Sequence, residues 1–469
     1  MSEEHSAART PPRVIVAGSG VGAVETVLAL RALAEHGRPV EIDLLAREDH
    51  FVYRPLAVVE PFGYPPPYRL PLDRLEQTHG VRHVRDTIAR VDADAHRITL
   101  ADGGEFDYDA LVLATGAVAK QWLPGGLAFW GPKDVEDYRA LLANLEAGTV
   151  DHVLFAVPPG ASWALPLYEL ALLTTAWIAD HGVIGAELTL ATPQHEPLPL
   201  FGPSAARVVR DLLGNRGIHL LTEAQVTSVR HDGATLSDGS AVPADRVVTL
   251  PRLVGNPPPG LPTEGDRFVP IDEHGAVAGL RDVYAVGDVT AFPVKQGSVA
   301  ANQADAAAAA ISASLGAPVE PAPFEAIIDA VLLTGVTARY LHADLSETKP
   351  GTSTVGVHAL WWPPEKIAAQ YLAPYLADQP DLAQISELAV RGPRPADEEQ
   401  HRQQQRRLAL KFAHADANMG QHAAALRWLQ VLETIDGTLQ PEHAELRNRW
   451  QAAQRGPNAA PDRTDKTEP

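Results

Sequence analysis

Val14-Ile15-Val16-Ala17-Gly18-Ser19-Gly20-Val21-Gly22-Ala23 is the stretch whose reading decides the fold. Four apolar residues predict a buried strand, and the helical pattern that follows runs from about Val21 to Glu35. A second strand is predicted over Val40–Leu45, which makes a βαβ unit near the N-terminus. Between strand and helix the chain reads G-x-G-x-x-A. Gly18 allows the tight turn, Gly20 and Val21-Gly22 let backbone approach a pyrophosphate, and Ala23 keeps the helix close to the sheet. The second strand of such a unit should end in an acid for the ribose hydroxyls. Here Ala46 stands at that place, followed by Arg47 and Glu48. Arg47 is a candidate contact for the adenosine ribose or phosphate, or else an exposed surface arginine.

Two further segments point from dinucleotide to flavin. Tyr108–Ala117 predicts a strand ending in Ala114-Thr115-Gly116, a backbone crossing beside the dinucleotide. Asp282–Thr290 predicts a strand ending in Gly287-Asp288, a carboxylate and helix start for the ribityl chain and pyrophosphate. A second α/β unit opens at Asp151: strand His152–Val157, turn Pro158-Pro159-Gly160, helix from about Leu167 to His181, and strand Glu187–Ala191. The fold class is therefore α/β, with two Rossmann-like three-layer domains. The expected organisation is a disordered leader (1–12), a first FAD-binding part (13–117), a second dinucleotide-type domain (118–255) and a second FAD-binding part (256–320). A C-terminal α+β region (321–392), a helical hairpin of tetratricopeptide type (393–455) and a disordered tail (456–469) complete it. The proline-rich stretch 55–71 reads as an ordered loop, and Asp102-Gly103-Gly104 as a hairpin turn.

Composition narrows the chemistry. In 469 residues, 39 Lys and Arg against 59 Asp and Glu give a net charge of −20, which argues against nucleic acid. Cysteine is absent, so disulfides, thiolate ligands and dithiol relays are excluded. No apolar run is long enough for a transmembrane helix. The expected location is cytoplasmic, with peripheral contact at the inner membrane face as an alternative. His50, His195 and His274 show no ligand spacing, so no metal is expected.

From Val14 to about Leu341 the chain resembles the two-dinucleotide-fold FAD oxidoreductases. It is similar to type II NADH dehydrogenases and sulfide:quinone oxidoreductases, and more closely to a group of actinobacterial FAD-dependent oxidoreductases. The resemblance includes Phe51–Leu56, Leu165–Leu170 and Pro293–Gly297. It implies FAD in the first domain, with Ile88 among its contacts. It also implies Tyr53-Arg54-Pro55-Leu56 and Lys295-Gln296 near the isoalloxazine, and a quinone-type acceptor. Glu169 falls where the relatives carry a flavin-facing glutamate. It reads as a proton relay or as a hydrogen-bonded helix residue at the domain interface. Lys295 reads as a stabiliser of negative charge on the reduced flavin, or as an exposed loop lysine.

The departures from the resemblance matter as much. Persulfide chemistry needs cysteines that this chain lacks, and Trp163 stands where relatives have one. The second glycine fingerprint is replaced by Val157-Pro158-Pro159-Gly160-Ala161-Ser162-Trp163, so NAD(P)H is expected to bind weakly. The aromatic stretch Trp361–Tyr375 reads either as a lipid- or quinone-facing surface or, preferably, as a cover over the flavin-domain core. Residues 405–450 read as two amphipathic helices that must pack on the body, a second copy or a partner. Three functions follow: FAD-dependent electron transfer from a small donor to a quinone-type acceptor, an NAD(P)H-dependent reductase with an atypical nicotinamide site, or a non-catalytic redox-sensing or scaffold flavoprotein.

Overall fold

The computed structural model describes residues 11–35, 37–64, 69–345, 353–357, 359, 361, 363 and 365–379. It also describes positions scattered between 406 and 432, and residues 438–455. The chain divides into two units, Met1–Ala176 with Gly185–Pro393, and Trp177–Ile184 with Arg394–Pro469.

The first unit holds two parallel five-stranded sheets. In one, the order is Val283–Ala285, Ala110–Leu113, Arg13–Ala17, Glu41–Leu45 and Arg82–Val84. In the other it is Leu127–Ala128, Arg246–Thr249, His152–Ala156, Glu187–Ala191 and Ile218–Leu221. Their central strands are buried on both faces, as unbroken apolar runs such as Val14–Ala17 and Ala110–Leu113 require. The mixed α/β class and Rossmann-like layering expected from sequence are what the structure shows. An antiparallel pair, Ala117–Lys120 with Arg252–Gly255, runs between the two lobes. The Asp102–Gly104 turn does join the antiparallel strands Arg97–Leu100 and Glu105–Asp107.

The helix Val21–Glu35 packs beside Gly297–Ser314, and small residues decide how closely. A methyl added at Gly22 would stand 3.0 Å from Val286 Cγ2 and 3.7 Å from the Ala300 carbonyl oxygen. Ala304, Ala307 and Ala308 continue the close approach into the core.

Two segments differ from the sequence reading. The sequence reads 55–71 as loop; Arg54–Phe62 form a 3₁₀ helix with Pro55 in its first turn and Gly63 closing it at φ +87°, and Arg69–Pro71 form a strand paired with His50–Val52. Proline is tolerated in a first turn because its missing N–H has no partner to lose there. In the second unit a separate helix begins at Pro441 and runs to Arg455. Its Trp450 and Leu446 join Ala413, Ala425, Leu429 and Leu432 in a small core, so the segment has an apolar interior of its own. The hairpin reading also rested on Leu408, Phe412, Ala415, Gly420 and Trp428, which lie outside the described residues.

The stretch after Trp361 covers the first lobe. Ile367, Leu372 and Leu376 are buried in its core, with Tyr371 and Tyr375 packed against it, and Trp361 lies edge-on to Tyr340. Trp362 and Pro364 fall outside the described residues. The stretch is fastened by Glu25, fully buried on the first helix, whose carboxylate accepts from the Tyr371 and Leu372 N–H groups. Asp305 on the partner helix is near enough to Glu25 for each carboxyl to perturb the other. Burial and a neighbouring like charge both favour the protonated form of a carboxyl. Burial, and then the Glu25 charge, push the Asp305 carboxyl up to about 9, and Glu25 is raised chiefly by burial. Tyr371 is the titratable side chain facing both, and its hydroxyl is also raised.

For a carboxyl raised in the folded state, the native protein holds more protons than the unfolded chain between the two pKa values. Stability therefore falls as pH climbs from about 4 toward 9. Asp305→Asn keeps the shape and a donor for Glu25 while removing the titration. Thermal melts across that range should show a shallower decline for the variant, a difference of a few degrees at the alkaline end. Parallel curves would refute the raised Asp305 carboxyl.

Candidate functional site

The two lobes face each other across a cleft whose atom-free space, open mouth included, is about 1410 Å³. Its first-lobe wall carries Gly20, Val21 and Gly22 from the first turn, Ala114 and Gly116 from the crossing strand, and Gly287-Asp288 with Lys295-Gln296. Arg54 and Pro55 contribute from the 3₁₀ segment, and Glu169 from the second-lobe helix Leu165–His181. The structure thus brings together twelve of the residues singled out from sequence.

The glycine turn has the shape a dinucleotide needs. Gly18 has φ +136°, and a Cβ there would fall 2.2 Å from the Ala114 carbonyl oxygen. At Gly20 a Cβ would meet nothing within 4 Å, so its side faces open cleft. That open position beside a helix N-terminus is the cradle expected for a pyrophosphate. The residues present therefore fit FAD. The other predicted positions lie away from the cleft lining. Ala23 and Ala46 are core residues, Thr115 is exposed and Ile88 half-buried. Arg47 is 75% exposed and pairs with Glu48. Of Tyr53–Leu56, Tyr53 and Leu56 point into the core, and the Tyr53 hydroxyl accepts from the Ile367 N–H at 3.0 Å.

Two cations of the cleft have close neighbours in the protein. Lys295 is 7% exposed, donates to the Thr290 carbonyl and stands 3.9 Å over the Phe268 ring. Burial lowers its ammonium to about 8, opposed by Asp288. The Gln296 amide caps the helix Gly297–Ser314 by accepting from the Ser298 and Val299 N–H groups, and donates to the Asp329 carbonyl at 2.9 Å. Arg54 lies over Trp130 at 5.0 Å.

Glu169 has a partner that sequence reasoning missed. Lys366 Nζ lies 2.8 Å from both Glu169 oxygens and donates to the Pro55 carbonyl at 2.9 Å. The Leu333 N–H donates to Glu169 Oε1 at 2.9 Å. Burial raises the Glu169 carboxyl and depresses the Lys366 ammonium, and the attraction between them opposes both shifts. A signal was available: Glu365-Lys366 is the one charged pair in the otherwise apolar stretch Trp361–Tyr375.

The second-lobe wall differs in character. It is built from Phe129, Trp130, Pro158, Ala161–Trp163, Leu165, Pro166, Leu250, Pro251 and Leu253. Pro158, Pro159 and Pro166 have no N–H. The N–H groups of Val157, Ala161 and Leu167 are spent on the carbonyls of Ala191, Pro158 and Ala164. Trp163 packs edge-on against buried Phe201, with ring centroids 5.9 Å apart.

Residues 12–310 match the pyridine nucleotide-disulphide oxidoreductase family. The chain is similar to an NADH dehydrogenase-like protein of Mycobacterium tuberculosis, 29% identical over 299 residues, 60% of this chain and 73% of that one. It is similar to a sulfide-quinone reductase of Aquifex aeolicus, 25% identical over 303 residues, 60% of this chain and 69% of that one. The crystal structure of the sulfide:quinone oxidoreductase of that bacterium shares the fold, with a TM-score of 0.65 at 21% identity, covering 74% of this chain and 87% of that one. The chain belongs to the pyridine nucleotide-disulphide oxidoreductase family and is an oxidoreductase of the flavoprotein class.

Two outcomes follow from the geometry. Gly20→Val fills the open cradle with a branched side chain, and the purified variant should carry little or no flavin by absorbance, against full loading of the parent. Glu169→Ala leaves the Lys366 ammonium buried without its carboxylate and should cost about 3–5 kcal/mol in denaturant titration. The double variant Glu169→Leu, Lys366→Met should recover most of that loss, because it removes both desolvated charges together. A double variant no more stable than Glu169→Ala would show that the pair itself stabilises the fold.

Proposed function

We propose that this protein passes electrons through non-covalent FAD to a small quinone-type acceptor, without thiol chemistry and without rapid use of NAD(P)H. The observation that carries this reading is the convergence of the Gly20–Gly22 cradle, the Gly116 crossing and Gly287-Asp288 on one cleft beside the Glu169–Lys366 pair. Bound FAD would supply two-electron chemistry. Gly20, Val21 and Gly22 would hold its pyrophosphate, with Asp288 toward the ribityl chain and Lys295 toward the ring edge. Glu169 and Lys366 form a neutral pair whose pKa values burial pushes toward each other. Such a pair can pass one proton to a reduced acceptor, which leaves the pair at −1 until a proton from solvent restores it. A quinone reductase needs that capacity, because its acceptor takes up protons with its electrons. The relatives named for quinone and NADH chemistry support the class, and the zero cysteine count removes the persulfide route.

A second reading, an NAD(P)H-dependent reductase, is favoured by one feature. Gly160 sits at φ +66° with nothing within 4 Å of its Cβ position, so the loop retains one open glycine. The three prolines of Val157–Leu167, which lack N–H groups, and the bulk of Trp163 weigh against it.

Anaerobic titration of the flavin absorbance, followed by reoxidation with menadione, tests the proposal. Menadione should reoxidise the reduced protein quickly. NADH and NADPH should bleach the oxidised flavin slowly and without saturation at micromolar concentration, and sulfide should not yield polysulfide. Fast, saturable bleaching by either nicotinamide would replace the first reading with the second.

A further inference from the structure

Residues 365–379 belong to neither five-stranded sheet. Four of their N–H groups go to side chains instead of a strand ladder. Ile367 donates to the Tyr53 hydroxyl and Ala368 to Ser298 Oγ, each at 3.0 Å, and Tyr371 and Leu372 both donate to the Glu25 carboxylate. Lys366 adds its contacts to Glu169 and the Pro55 carbonyl. Leu372 and Leu376 anchor the far end in the first-lobe core. The near end is therefore hung on side-chain bonds from an anchored helix, Leu372–Ala377, and can lift without breaking either sheet.

The groups that fasten it sit on the elements that build the cleft. Glu25 lies three residues beyond Gly22, Tyr53 directly precedes Arg54, and Ser298 directly follows Gly297. Pro55 and Glu169 line the cleft themselves, and the segment supplies Lys366 and Ile367 to the same lining. Ile367 is seated on a glycine: a methyl at Gly297 would stand 2.7 Å from its Cδ1. Lifting the near end strips two side chains from the cleft. It also withdraws the contacts beside the starts of the helices Val21–Glu35 and Gly297–Ser314.

We propose that residues 365–371 form a strap that closes the cofactor cleft, with Glu25 as its latch, and that lifting this strap is the step by which FAD enters and leaves. A molecule bound against Ile367 holds the strap down. By linkage, the docked strap raises the affinity for that molecule by the same factor. The inference rests on the flavoprotein reading and adds to it the route and control of cofactor exchange. Glu25 is a positioning residue in this scheme, because it touches the strap and lies outside the cleft lining.

Amide hydrogen exchange and flavin release, both on the full-length protein, test it together. With FAD loaded, the Ile367, Ala368, Tyr371 and Leu372 amides should exchange about tenfold more slowly than in the flavin-free protein. Amides of the strand Glu187–Ala191 should exchange alike in both states. Glu25→Gln replaces one of two acceptor oxygens with an NH₂ donor. It should speed strap exchange and FAD loss by similar factors, about tenfold, with FAD loss followed by absorbance after desalting. Ser298→Ala removes the Ala368 tie and should act in the same direction by about threefold. This second variant keeps the test decisive if Glu25→Gln fails to fold. Strap amides indifferent to FAD, or FAD release unchanged in the folded variants, would overturn the strap. A parent that takes up no FAD overturns the flavoprotein reading and this inference with it. Full FAD uptake with strap amides indifferent to it overturns this inference alone.

Discussion

One buried ion pair ties the first unit together. Lys366 reaches from the C-terminal segment to Glu169 on the second-lobe helix and to the Pro55 carbonyl in the first lobe, and Glu169 also accepts from Leu333. Four stretches distant in sequence thus meet at two opposite charges that are 6% and 1% exposed. Neither charge could stay ionised in that position without the other, since desolvating a lone ion costs several kcal/mol. The contact bridges the two walls of the cleft. Both side chains line the cleft.

Around that anchor the two walls divide the work. The first lobe provides backbone: glycines where a Cβ would collide, as at Gly18, and open space where a cofactor would enter, as at Gly20. The second lobe has the same strand–turn–helix plan, but its turn is filled by prolines and an indole. Two parallel five-stranded sheets, one edged by its last strand in the chain and the other by its first, thus carry one wall lined by glycine turns and one that is apolar. The contrast between the walls lies in the turns that follow Ala17 and Ala156.

Much of this was legible in the sequence because it depends on local rules. The first turn, the helix Val21–Glu35 and the strand Glu187–Ala191 are fixed by glycine spacing and apolar runs, and the structure places them at those positions. The 3₁₀ segment 54–62 was not legible, because proline forbids an ordinary helix interior without forbidding a tighter turn at its start. Lys366 was missed for a different reason. Its partner lies on another lobe, and no local pattern encodes a contact between residues 169 and 366. The retention of the stretch after Trp361 by Glu25 is non-local in the same way. The third helix at Pro441 could have been read from its proline, which often opens a helix.

The first sheet is discontinuous in the chain. Its strands Arg13–Ala17, Glu41–Leu45, Arg82–Val84 and Ala110–Leu113 precede the whole second lobe, and its edge strand Val283–Ala285 follows it. During synthesis, the flavin lobe therefore leaves the ribosome with one strand and its long alanine-rich helix missing. The Ala110–Leu113 edge stays unpaired until residue 285 emerges. The second lobe, continuous in sequence, can complete its sheet first. Closing the first lobe then means joining segments across the length of an already folded neighbour, a step of high contact order and slow rate. For that interval the nascent chain exposes an apolar parallel edge. That interval is when the chain is most open to pairing with another copy through this edge.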